Sequence, residues 1–380
     1  MNKVLNVAIV GVGTIGTGVA DILHKGIDGV KLYALCDKNI NHLKSLNYND
    51  VLIFNNFKEI IKSKKIDIVV EAVGGEYPAY NLIKEALEKG KSVVTANKEV
   101  VAKHYKDLSV ILKKAKGNFL FEASVGGCVP IINSLYNYKK ANEIRKIEGI
   151  INGSTNYVLT LMQKDKVPYD DAIKSAKEKG FLESDPSADL KGLDMKRKIA
   201  ILSDIAYSTY VDIEDIYSYS LENVTDEFIN EVKNMGYVLK YMSESILSSD
   251  ISIRIEPVIV RKNDFLACVD YERNYIASFG DTQEKLEFLG LGAGRYPTST
   301  AIVADILMIR DGQPKMKLDY ENVINIDNSS LIDSYLVDGK LDKNLIDHYQ
   351  GKYIVTKKIS WKEIKNNLDK INFYARIRWW

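Results

Sequence analysis

Residues 5–16 read LNVAIVGVGTIG, a β-branched and apolar run that leads directly into the glycines Gly11, Gly13 and Gly16. The next apolar residues recur at helical spacing, and a second strand candidate, KLYALC, ends just before Asp37. A strand, a glycine turn, a helix and a second strand, with an acid about twenty residues past the last glycine, form the dinucleotide-binding pattern. The sequence therefore predicts an α/β fold whose N-terminal part is a Rossmann domain with a doubly wound parallel sheet.

Each glycine of this turn has its own predicted purpose. Gly11 allows the tight turn, Gly13 lets the backbone approach a pyrophosphate, and Gly16 lets the helix pack closely on the strand. The exposed amides at the start of the helix would then hold the phosphates. Asp37 is expected to accept the 2′-hydroxyl of the adenine ribose, which favours NAD. Lys38 stands beside it and could instead contact a 2′-phosphate, so NAD and NADP both stay open.

Length and composition favour an enzyme that contacts neither nucleic acid nor membrane. The chain has 380 residues, enough for two hydrophobic cores, and a net charge of +1 with dispersed basic residues. No apolar run approaches the length of a membrane span. The three cysteines are widely spaced and lack a CxxC pattern, so neither a disulfide framework nor a zinc site is expected, and a reducing cytoplasm is indicated.

The remaining sequence predicts a second domain. Strands and helices alternate through the first part of the chain, whereas short runs at hairpin spacing between residues 251 and 290, FLACVDYE among them, predict antiparallel strands. We therefore expect a second α+β domain on a mixed sheet, for catalysis and dimerisation. The predicted bounds are 1–130 for the Rossmann domain, with 290–310 packing back onto it, 131–290 for the second domain, and 311–380 for an atypical C-terminal tail.

The most informative window for function is GFLESDPSADLKGLDMKRKIAIL, residues 180–202. It gathers four acidic residues ahead of Lys198, and carboxylates this close repel one another and gain nothing from a core. A cationic partner, such as a substrate ammonium or a catalytic lysine, would account for them. Helical spacing places Asp194 and Lys198 one turn apart on one face. The alternative is an acidic loop followed by an ordinary surface ion pair, and this window alone does not decide between the two.

Three further observations narrow the chemistry. Lys98 stands at the C-terminal edge of a predicted strand, KSVVTANKE, and would point toward the cofactor crevice at the carboxyl edge of the sheet. Glu122, in FEASVGG, closes a predicted strand and leads into a glycine-rich loop whose carbonyls would suit a hard cation, although a simple interdomain turn is the alternative. None of the four histidines lies between this loop and the last glycine loop, so the histidine–acid pair of lactate- and malate-type dehydrogenases is not expected.

The order of these motifs resembles homoserine dehydrogenase. The chain presents, over roughly residues 4–310, GVGTIG, TANKE, FEASVGG, NGSTNY, GFLESDPSADLKGLDMKRK and GAGRYPTSTAIVADI. The resemblance implies the reversible reduction of L-aspartate 4-semialdehyde to L-homoserine with NADH or NADPH, in threonine and methionine biosynthesis. It also implies a cytoplasmic enzyme that forms a homodimer through its second domain.

The resemblance also implies roles for single residues. Lys198 would donate the proton to the aldehyde oxygen, and Lys98 would be the second lysine at the reacting centre, near the nicotinamide. An ammonium aimed at that oxygen stabilises the charge that hydride addition builds there. Two lysines in one desolvated pocket would lower each other's pKa. The implied substrate-binding residues are Gly180 and Glu183, for the substrate amino group, Asp194, for orientation of the substrate and Lys198, and Asp189, in the supporting polar shell.

The resemblance implies a cofactor site and an ion site as well. The implied cofactor contacts are Gly11, Gly13, Thr14, Ile15, Gly16, Asp37, Lys38, Val73, Gly74, Lys98, Gly292 and Gly294. The implied ligands of a structural sodium ion are the carboxylate or backbone of Glu122 and the carbonyls of Val125, Gly127 and Val129. Cys128 stands where the family usually has a third glycine, and a positive φ there would strain it.

The C-terminal residues 311–380 depart from the resemblance. Many family members end in a small ACT effector domain with an acidic-x-Pro-Gly-Val loop, which is not found here, so a complete effector domain and threonine inhibition through it are not expected. YIVTKKISWKEIKNNL predicts a strand followed by a helix, and the apolar end, Trp379-Trp380, is expected to be docked. Two alternatives remain: a dehydrogenase of another amino-acid semialdehyde, and a noncatalytic dinucleotide-binding regulator. The two lysines, with Glu183 and Asp194, argue against the regulator.

Overall fold

The computed structural model describes residues 3–318, 320 and 323–378. The chain divides into two compact units, which are described separately below. Unit 1 comprises Met1–Ala141, Asp204–Tyr210 and Leu291–Val323, and unit 2 comprises Asn142–Ser203, Val211–Gly290 and Ile324–Trp380. The helices within the described ranges are all too short or too polar to cross a membrane. Trp379 and Trp380 lie outside the described residues, so their docking stays a prediction.

Unit 1 contains a six-stranded sheet in which every neighbouring pair is parallel, in the order β3-β2-β1-β4-β5-β6. This is the strand order of the Rossmann fold, as the glycine turn predicts. The strands are β1 Leu5–Val10, β2 Val30–Cys36, β3 Leu52–Phe54, β4 Ile68–Glu71, β5 Ser92–Thr95 and β6 Phe119–Leu120. The helices are α1 Thr14–His24, α2 Ile40–Ser45, α3 Phe57–Lys62, α4 Ala79–Glu88, α5 Lys98–Lys103, α6 Tyr105–Leu112, α7 Ile131–Tyr138 and α13 Arg295–Arg310.

The central strands of unit 1 are buried along their whole length. Every residue of β4 and of β5 is buried, since helices cover both faces of a parallel sheet. Helix α1 packs against α13 within the same unit. A Cβ on Gly18 would lie only 2.4 Å from Ser299 Oγ and 2.9 Å from Arg295 Cγ. A larger residue at Gly18 would therefore push the two helices apart.

Unit 2 is built on an eleven-stranded mixed sheet, which confirms the predicted α/β class with a second, mixed sheet. Its main order is β12-β11-β7-β9-β10-β17-β13-β15-β14, and β8 and β16 pair with β10 and β13. The strands are β7 Ile144–Ile150, β8 Tyr217–Ser218, β9 Tyr237–Leu247, β10 Ile251–Arg261, β11 Arg273–Gly280, β12 Glu284–Leu291, β13 Ile332–Gly339, β14 Ile346–Gln350, β15 Tyr353–Thr356, β16 Ile359–Ser360 and β17 Ile371–Ile377. The helices are α8 Gly153–Thr160, α9 Tyr169–Glu178, α10 Ser187–Leu190, α11 Leu193–Tyr207, α12 Asp226–Asn234 and α14 Trp361–Lys365; the residues of α11 from Asp204 onward belong to unit 1.

One predicted strand is wrong. Within FLACVDYE, residues Phe265–Cys268 form a 3₁₀ turn, not a strand. The side chain of Asp264 accepts a hydrogen bond from Leu266 N at 2.9 Å and caps this turn. Leu266 and Ala267 are both buried, so the apolar residues here lack the alternation of a strand that has one face in solvent.

The C-terminal residues form part of the sheet of unit 2. The predicted strand and helix are confirmed as β15 and α14, but β13, β14 and β17 were not predicted. The order β17-β13-β15-β14, with each neighbouring pair antiparallel, is that of a ferredoxin-like βαββαβ module. The connection between β13 and β14 contains one 3₁₀ turn, and α14 has five residues. The absence of a complete effector domain stays a prediction.

A buried ionic network joins this C-terminal module to the rest of the sheet. Arg254 on β10 donates to Glu244 Oε2 on β9 at 2.9 and 2.6 Å and to Asp333 Oδ2 on β13 at 2.7 Å. Arg376 on β17 donates to Glu256 Oε1 at 2.8 Å. Burial by itself would raise the pKa of Glu244, but the two guanidinium groups outweigh it and hold this pKa well below its usual value.

Candidate active site

The glycine turn of unit 1 shows why two of its glycines are required and why the third is different. Gly11 has φ +88°, and a Cβ there would lie 2.4 Å from Ala72 O. A Cβ on Gly16 would lie 2.0 Å from Gly11 O. A Cβ on Gly13 would meet nothing within 4 Å. Packing within the protein therefore explains Gly11 and Gly16, whereas the open side of Gly13 fits the close approach of a ligand.

The start of α1 has the features of a phosphate-binding helix terminus. Gly13 is its N-cap residue, no side chain caps the first turn, and that turn contains no acidic residue. Thr14 at the first helical position is exposed, and Ile15 is half-buried. Amides at a helix N-terminus attract anions. These residues therefore fit the pyrophosphate of a dinucleotide.

Asp37 lies at the end of β2, beside the glycine turn. Its Oδ2 accepts a hydrogen bond from Val12 N at 2.8 Å and its Oδ1 accepts one from Asn39 N at 2.9 Å. Burial would raise the pKa of this carboxyl, but the backbone donors outweigh it and lower the pKa, so Asp37 is ionised at neutral pH. Lys38 beside it is exposed. The position fits a group that reads the 2′ position of a ribose.

A buried carboxylate that the sequence analysis did not single out organises the next loop. Glu71, fully buried at the end of β4, accepts hydrogen bonds at Oε1 from Val73 N (2.8 Å) and Gly74 N (3.3 Å). Thr95 Oγ1 on β5 donates to Glu71 Oε2 at 2.5 Å. Burial raises the pKa of Glu71, although these hydrogen-bond donors act in the opposite direction. The signal in the sequence was an acid that closes an apolar strand, IVVE.

Lys98 is the first residue of α5, directly after the predicted strand end. Asn97 caps this helix through Oδ1, which accepts from Val100 N at 3.1 Å, and its Nδ2 donates to Gly75 O at 2.7 Å. The loop after β4 and the start of α5 are therefore tied together. Both predicted cofactor segments, at 73–74 and at 98, lie at the carboxyl edge of the same parallel sheet.

The two glycine-rich loops of unit 1, at 124–130 and 291–294, contact each other. Cys128 N donates to Leu291 O at 3.2 Å. A Cβ on Gly127 would lie 2.5 Å from that same oxygen. The positive-φ residues of the first loop are Gly126 and Gly127 (+76° and +61°), and Cys128 does not have a positive φ. The condition for strain at Cys128, a positive φ, is therefore not met, because the two neighbouring glycines make the turn.

Glu122 serves a helix end in this structure. Its carboxylate accepts hydrogen bonds from Ile132 N at 2.7 Å, from Asn133 N at 2.9 Å and from Asn133 Nδ2. Its backbone N donates to Asp305 Oδ2 at 2.9 Å. Burial raises the pKa of both carboxyl groups, and the charge of Glu122 adds to the rise at Asp305. The carboxylate of Glu122 thus accepts hydrogen bonds from the backbone amides of the first turn of α7.

These contacts bear on the predicted sodium ligands. Three N–H donors surround the Glu122 carboxylate. Of the two predicted sodium ligands from this residue, the backbone carbonyl is therefore favoured over the carboxylate. Val129 O accepts from Ile131 N at 2.9 Å, and Val125 and Gly127 lie in the same turn. No cluster of three or more histidine, cysteine or carboxylate side chains suited to a metal occurs among the described residues. The sodium ion stays a prediction that rests on backbone carbonyls.

In unit 2 the structure brings together a lysine and an aspartate on α11. Lys198 Nζ lies 2.8 Å from Asp194 Oδ2, and both side chains are more than nine-tenths buried. Lys198 Nζ also donates to Ile151 O at 2.7 Å. The predicted one-turn spacing on a single face is confirmed. Burial excludes the alternative of an ordinary surface ion pair.

Asn152, to which the sequence analysis gave no role, links the carboxylates. Its Nδ2 donates to Asp189 Oδ1 at 2.6 Å and to Asp194 Oδ2 at 2.9 Å. Its Oδ1 accepts from Thr155 N at 2.8 Å and caps α8. The signal in the sequence was an asparagine in the NGST turn between β7 and α8, where an N-cap is common. One amide group thus bridges two acids that would otherwise repel each other.

The other acidic residues of the window lie apart from this cluster. Glu183 and Asp185 are exposed on the bend that follows α9, and Asp185 Oδ1 accepts from Ser187 N at 3.0 Å. Gly180 ends α9 with φ +74°, as only glycine readily does. Among the described residues, no hydrogen bond involves the Glu183 side chain. The four carboxylates repel one another less than their spacing suggests, because two are exposed to solvent and two share Asn152.

This arrangement can hold a proton at a fixed place. A buried ammonium on Lys198, oriented by Asp194 and by a backbone carbonyl, suits proton transfer to an oxygen that gains negative charge. Unit 1 independently offers the glycine turn and helix terminus that a dinucleotide needs. The two together fit a dehydrogenase that uses lysine chemistry.

Comparison with known proteins agrees with this assignment. The family profile described as homoserine dehydrogenase matches residues 130–307, and the profile of the homoserine dehydrogenase NAD binding domain matches residues 11–122. A homoserine dehydrogenase of Bacillus subtilis is 32% identical over 316 residues, which are 81% of this chain and 73% of that relative. The chain belongs to the homoserine dehydrogenase family.

Further relatives support the same family. A homoserine dehydrogenase of Helicobacter pylori is 33% identical over 330 residues, 84% of this chain and 77% of that protein. The crystal structure of a homoserine dehydrogenase from Thiobacillus denitrificans has a TM-score of 0.90 at 25% identity and covers 100% of this chain and 99% of its own. The structure of a hyperthermophilic archaeal homoserine dehydrogenase in complex with NADPH has a TM-score of 0.70 at 25% identity. It covers 82% of this chain and 99% of its own. The resemblance is thus confirmed, and this family member is an NAD(P)-dependent oxidoreductase acting on a CH–OH group.

Proposed function

We propose that this family member catalyses the reversible NAD(P)-dependent interconversion of L-aspartate 4-semialdehyde and L-homoserine, for threonine and methionine biosynthesis. The observation that supports the proposal best is the buried ammonium of Lys198, 2.8 Å from Asp194 Oδ2 and 2.7 Å from Ile151 O. Lysine is seldom buried, and a buried charge held by a specific partner is a feature that catalytic sites share.

Lys198 is the proposed acid and base of this reaction. In the reducing direction a bound nicotinamide would supply a hydride to the aldehyde carbon, and the carbonyl oxygen would gain the charge. Lys198 donates its proton to that oxygen, which gives the alcohol. In the reverse direction Lys198 accepts the hydroxyl proton as the hydride leaves. Asp194 fixes the ammonium in place, and Lys98 is the proposed second lysine, near the nicotinamide.

The substrate-binding roles follow from charge. Homoserine has an ammonium group, which a carboxylate and backbone carbonyls bind well. Glu183, hydrated on its bend, and the backbone of Gly180 are the proposed partners of this group. Asp189 acts through Asn152, which donates to both Asp189 and Asp194. The proposed polar shell therefore supports the orientation of the catalytic lysine, whereas the amino group is proposed to bind separately at Glu183 and Gly180.

The finer assignments are proposals as well. The ionised Asp37 supports NAD, because it can accept a ribose hydroxyl and repels a 2′-phosphate, whereas the exposed Lys38 supports NADP. The proposed cofactor contacts remain the glycine turn with Thr14 and Ile15, the 73–74 loop, and Gly292 and Gly294 at the start of α13. A cytoplasmic homodimer with a structural sodium ion is what the family resemblance suggests.

The test is oxidation of L-homoserine by the purified protein, followed as absorbance of reduced nicotinamide, with NAD and NADP in parallel. Lys198→Ala is expected to lose turnover and keep cofactor binding. Lys191→Ala, a change of an exposed lysine shortly before α11, is the matched control and should retain activity. Turnover near the wild-type rate in Lys198→Ala would contradict the mechanism. Cofactor binding without any turnover of homoserine would instead favour another amino-acid substrate or a regulator.

A further inference from the structure

A cavity in unit 2 is lined by four lysines and lies away from Asp194 and Lys198 in sequence and in its lining. It has a volume of about 310 Å³, within the range of small-ligand sites. The end of α8, the start of β9 and the 3₁₀ turn after β10 supply its walls. Its lining residues are Thr160, Gln163, Lys164, Lys233, Tyr237, Val238, Lys240, Lys262, Ala267, Cys268 and Asp270.

Lys240 is the most unusual member of this set, because it is almost completely buried. Only 1% of the residue is exposed. Its Nζ donates to Val269 O at 2.6 Å and lies 3.9 Å from Asp270 Oδ1. An ammonium has three donors, and these are its contacts among the described residues. Burial lowers the pKa of Lys240 to about 8, because the surroundings disfavour its charged ammonium form.

The cavity has an excess of positive charge. Asp270 is the one carboxylate in the lining, and Lys164 also contacts it, through Oδ2. Two ammonium groups therefore share a single counter-charge. Within the part of the chain that the structure describes, Lys262 Nζ contacts a single acceptor, the backbone oxygen of Lys233, at 3.2 Å. Four lysines and one aspartate leave three positive charges around one small cavity.

One wall of the cavity is held rigidly. The helix α8 continues into a π-helical turn, Leu161–Asp165, a feature that often occurs at functional sites. Gln163 clamps this turn to β9: its Oε1 accepts from Leu239 N at 2.7 Å and its Nε2 donates to Leu239 O at 2.9 Å. Lys164 follows directly. The clamp fixes the backbone that carries this lysine to the rim.

We propose that this cavity binds a small phosphate-class dianion, inorganic phosphate or a compact phosphate monoester, with Lys240 at its base and Lys164 and Lys262 at its rim. Lysine ammonium groups bind phosphate oxygens through charge-assisted hydrogen bonds. The dianion supplies the second counter-charge that Lys240 and Lys164 lack. The volume suits a phosphate group with a few further atoms and excludes a dinucleotide.

The first test is isothermal titration calorimetry. The full-length protein is titrated with inorganic phosphate and, separately, with glycerol 3-phosphate, at pH 7 and constant ionic strength. The wild type is expected to show saturable binding at one site for at least one of these probes. Lys240→Met should weaken that binding by about tenfold or more, since it removes the charged donor at the base. Lys352→Met, a change of an exposed lysine in the same unit outside the cavity, should bind as the wild type does.

Two outcomes would overturn the proposal: no saturable binding of either probe by the wild type, or wild-type affinity in Lys240→Met. If Lys240→Met does not fold, Lys164→Met, a change at an exposed position, replaces it in the test. This variant too should bind the phosphate probe more weakly than the wild type does, and wild-type affinity would overturn the proposal. The proposal does not rest on the proposed function, since its measurements are of binding and not of turnover.

A second measurement uses the thiol in the lining. Cys268 is exposed in the cavity wall, and Cys128, exposed in unit 1, is the internal control. Phosphate should slow the alkylation of Cys268 by iodoacetamide and leave that of Cys128 unchanged, as peptide mapping by mass spectrometry would show. Equal rates at Cys268 with and without saturating phosphate would contradict occupancy of this cavity.

Discussion

Asn152 offers the sharpest test of how the carboxylates support Lys198. Its side chain has two separable jobs: Oδ1 caps α8 at Thr155 N, and Nδ2 donates to Asp189 and Asp194. Asn152→Ser keeps a good N-cap and removes both donors, because serine caps a helix about as well as asparagine. The change should therefore reduce catalysis and spare the fold.

The magnitude follows from the two hydrogen bonds that are lost. Each involves an ionised acceptor and contributes about 1.5–3 kcal/mol. Asp189 is half-buried and regains water, so the effective loss is that at the buried Asp194, about 2–3 kcal/mol in transition-state stabilisation. This corresponds to a decrease in kcat/KM for L-homoserine of about 30- to 150-fold. Asn152→Asp, which keeps the cap and adds a third carboxylate, should decrease it further.

The assay is steady-state oxidation of L-homoserine, with thermal unfolding measured on the same preparations. Asn56→Ser is the matched control, because Asn56 caps α3 in the same way without contacting a carboxylate. It should retain wild-type kinetics. The reasoning is refuted if Asn152→Ser stays within about threefold of the wild-type kcat/KM, or if its activity falls only in proportion to a loss of folded protein.

Three further predictions concern the fold and its charges. Gly11→Ala should destabilise the protein by about 1–3 kcal/mol in urea unfolding, whereas Gly13→Ala should leave stability unchanged and weaken NADH or NADPH binding in a fluorescence titration. Arg254→Met should lower the free energy of unfolding by about 3–5 kcal/mol, because it leaves buried carboxylates unpaired, while the exposed Arg145→Met should change it by less than about 1 kcal/mol; equal effects would contradict the network. Burial lowers the pKa of Lys240 from its ordinary 10.5 to about 8, so the unfolded chain binds this proton more tightly than the folded chain does. The free energy of unfolding of the wild type, measured in urea, should therefore rise between pH 8 and 10.5 by on the order of 3 kcal/mol relative to that of Lys240→Met. Parallel pH profiles of the two proteins would show the shift to be wrong.

Local pattern was enough wherever the chemistry depends on residues close in sequence. The glycine turn, the strand before it and Asp37 lie within one βαβ unit, whose geometry follows from periodicity and backbone freedom. Asp194 and Lys198 are four residues apart on one helix, so the helical repeat alone places them together. The strand and helix of 353–365 were also readable, since a β-branched run and a capped polar segment differ locally.

Other features could not be read, because they depend on pairs of residues far apart in the chain. Asn152 meets Asp189 and Asp194 only because the start of α8 lies beside α10 and the first turn of α11. The 3₁₀ turn at Phe265–Cys268 carries strand-like residues, and capping by Asp264 outweighs their propensity. Cys128 avoids strain because its glycine neighbours make the turn.

The sequence by itself determined the Rossmann unit, the family and the lysine that the proposed reaction uses, since each is encoded in a short motif with strict backbone or spacing requirements. Only the tertiary structure decided that Glu183 and Asp185 are hydrated while Asp194 is buried, that the C-terminal strands complete the mixed sheet, and that four lysines surround one cavity. Burial and long-range pairing set the strength of a charge and the partner of a strand. Neither is a property of neighbouring residues, so no local pattern records it.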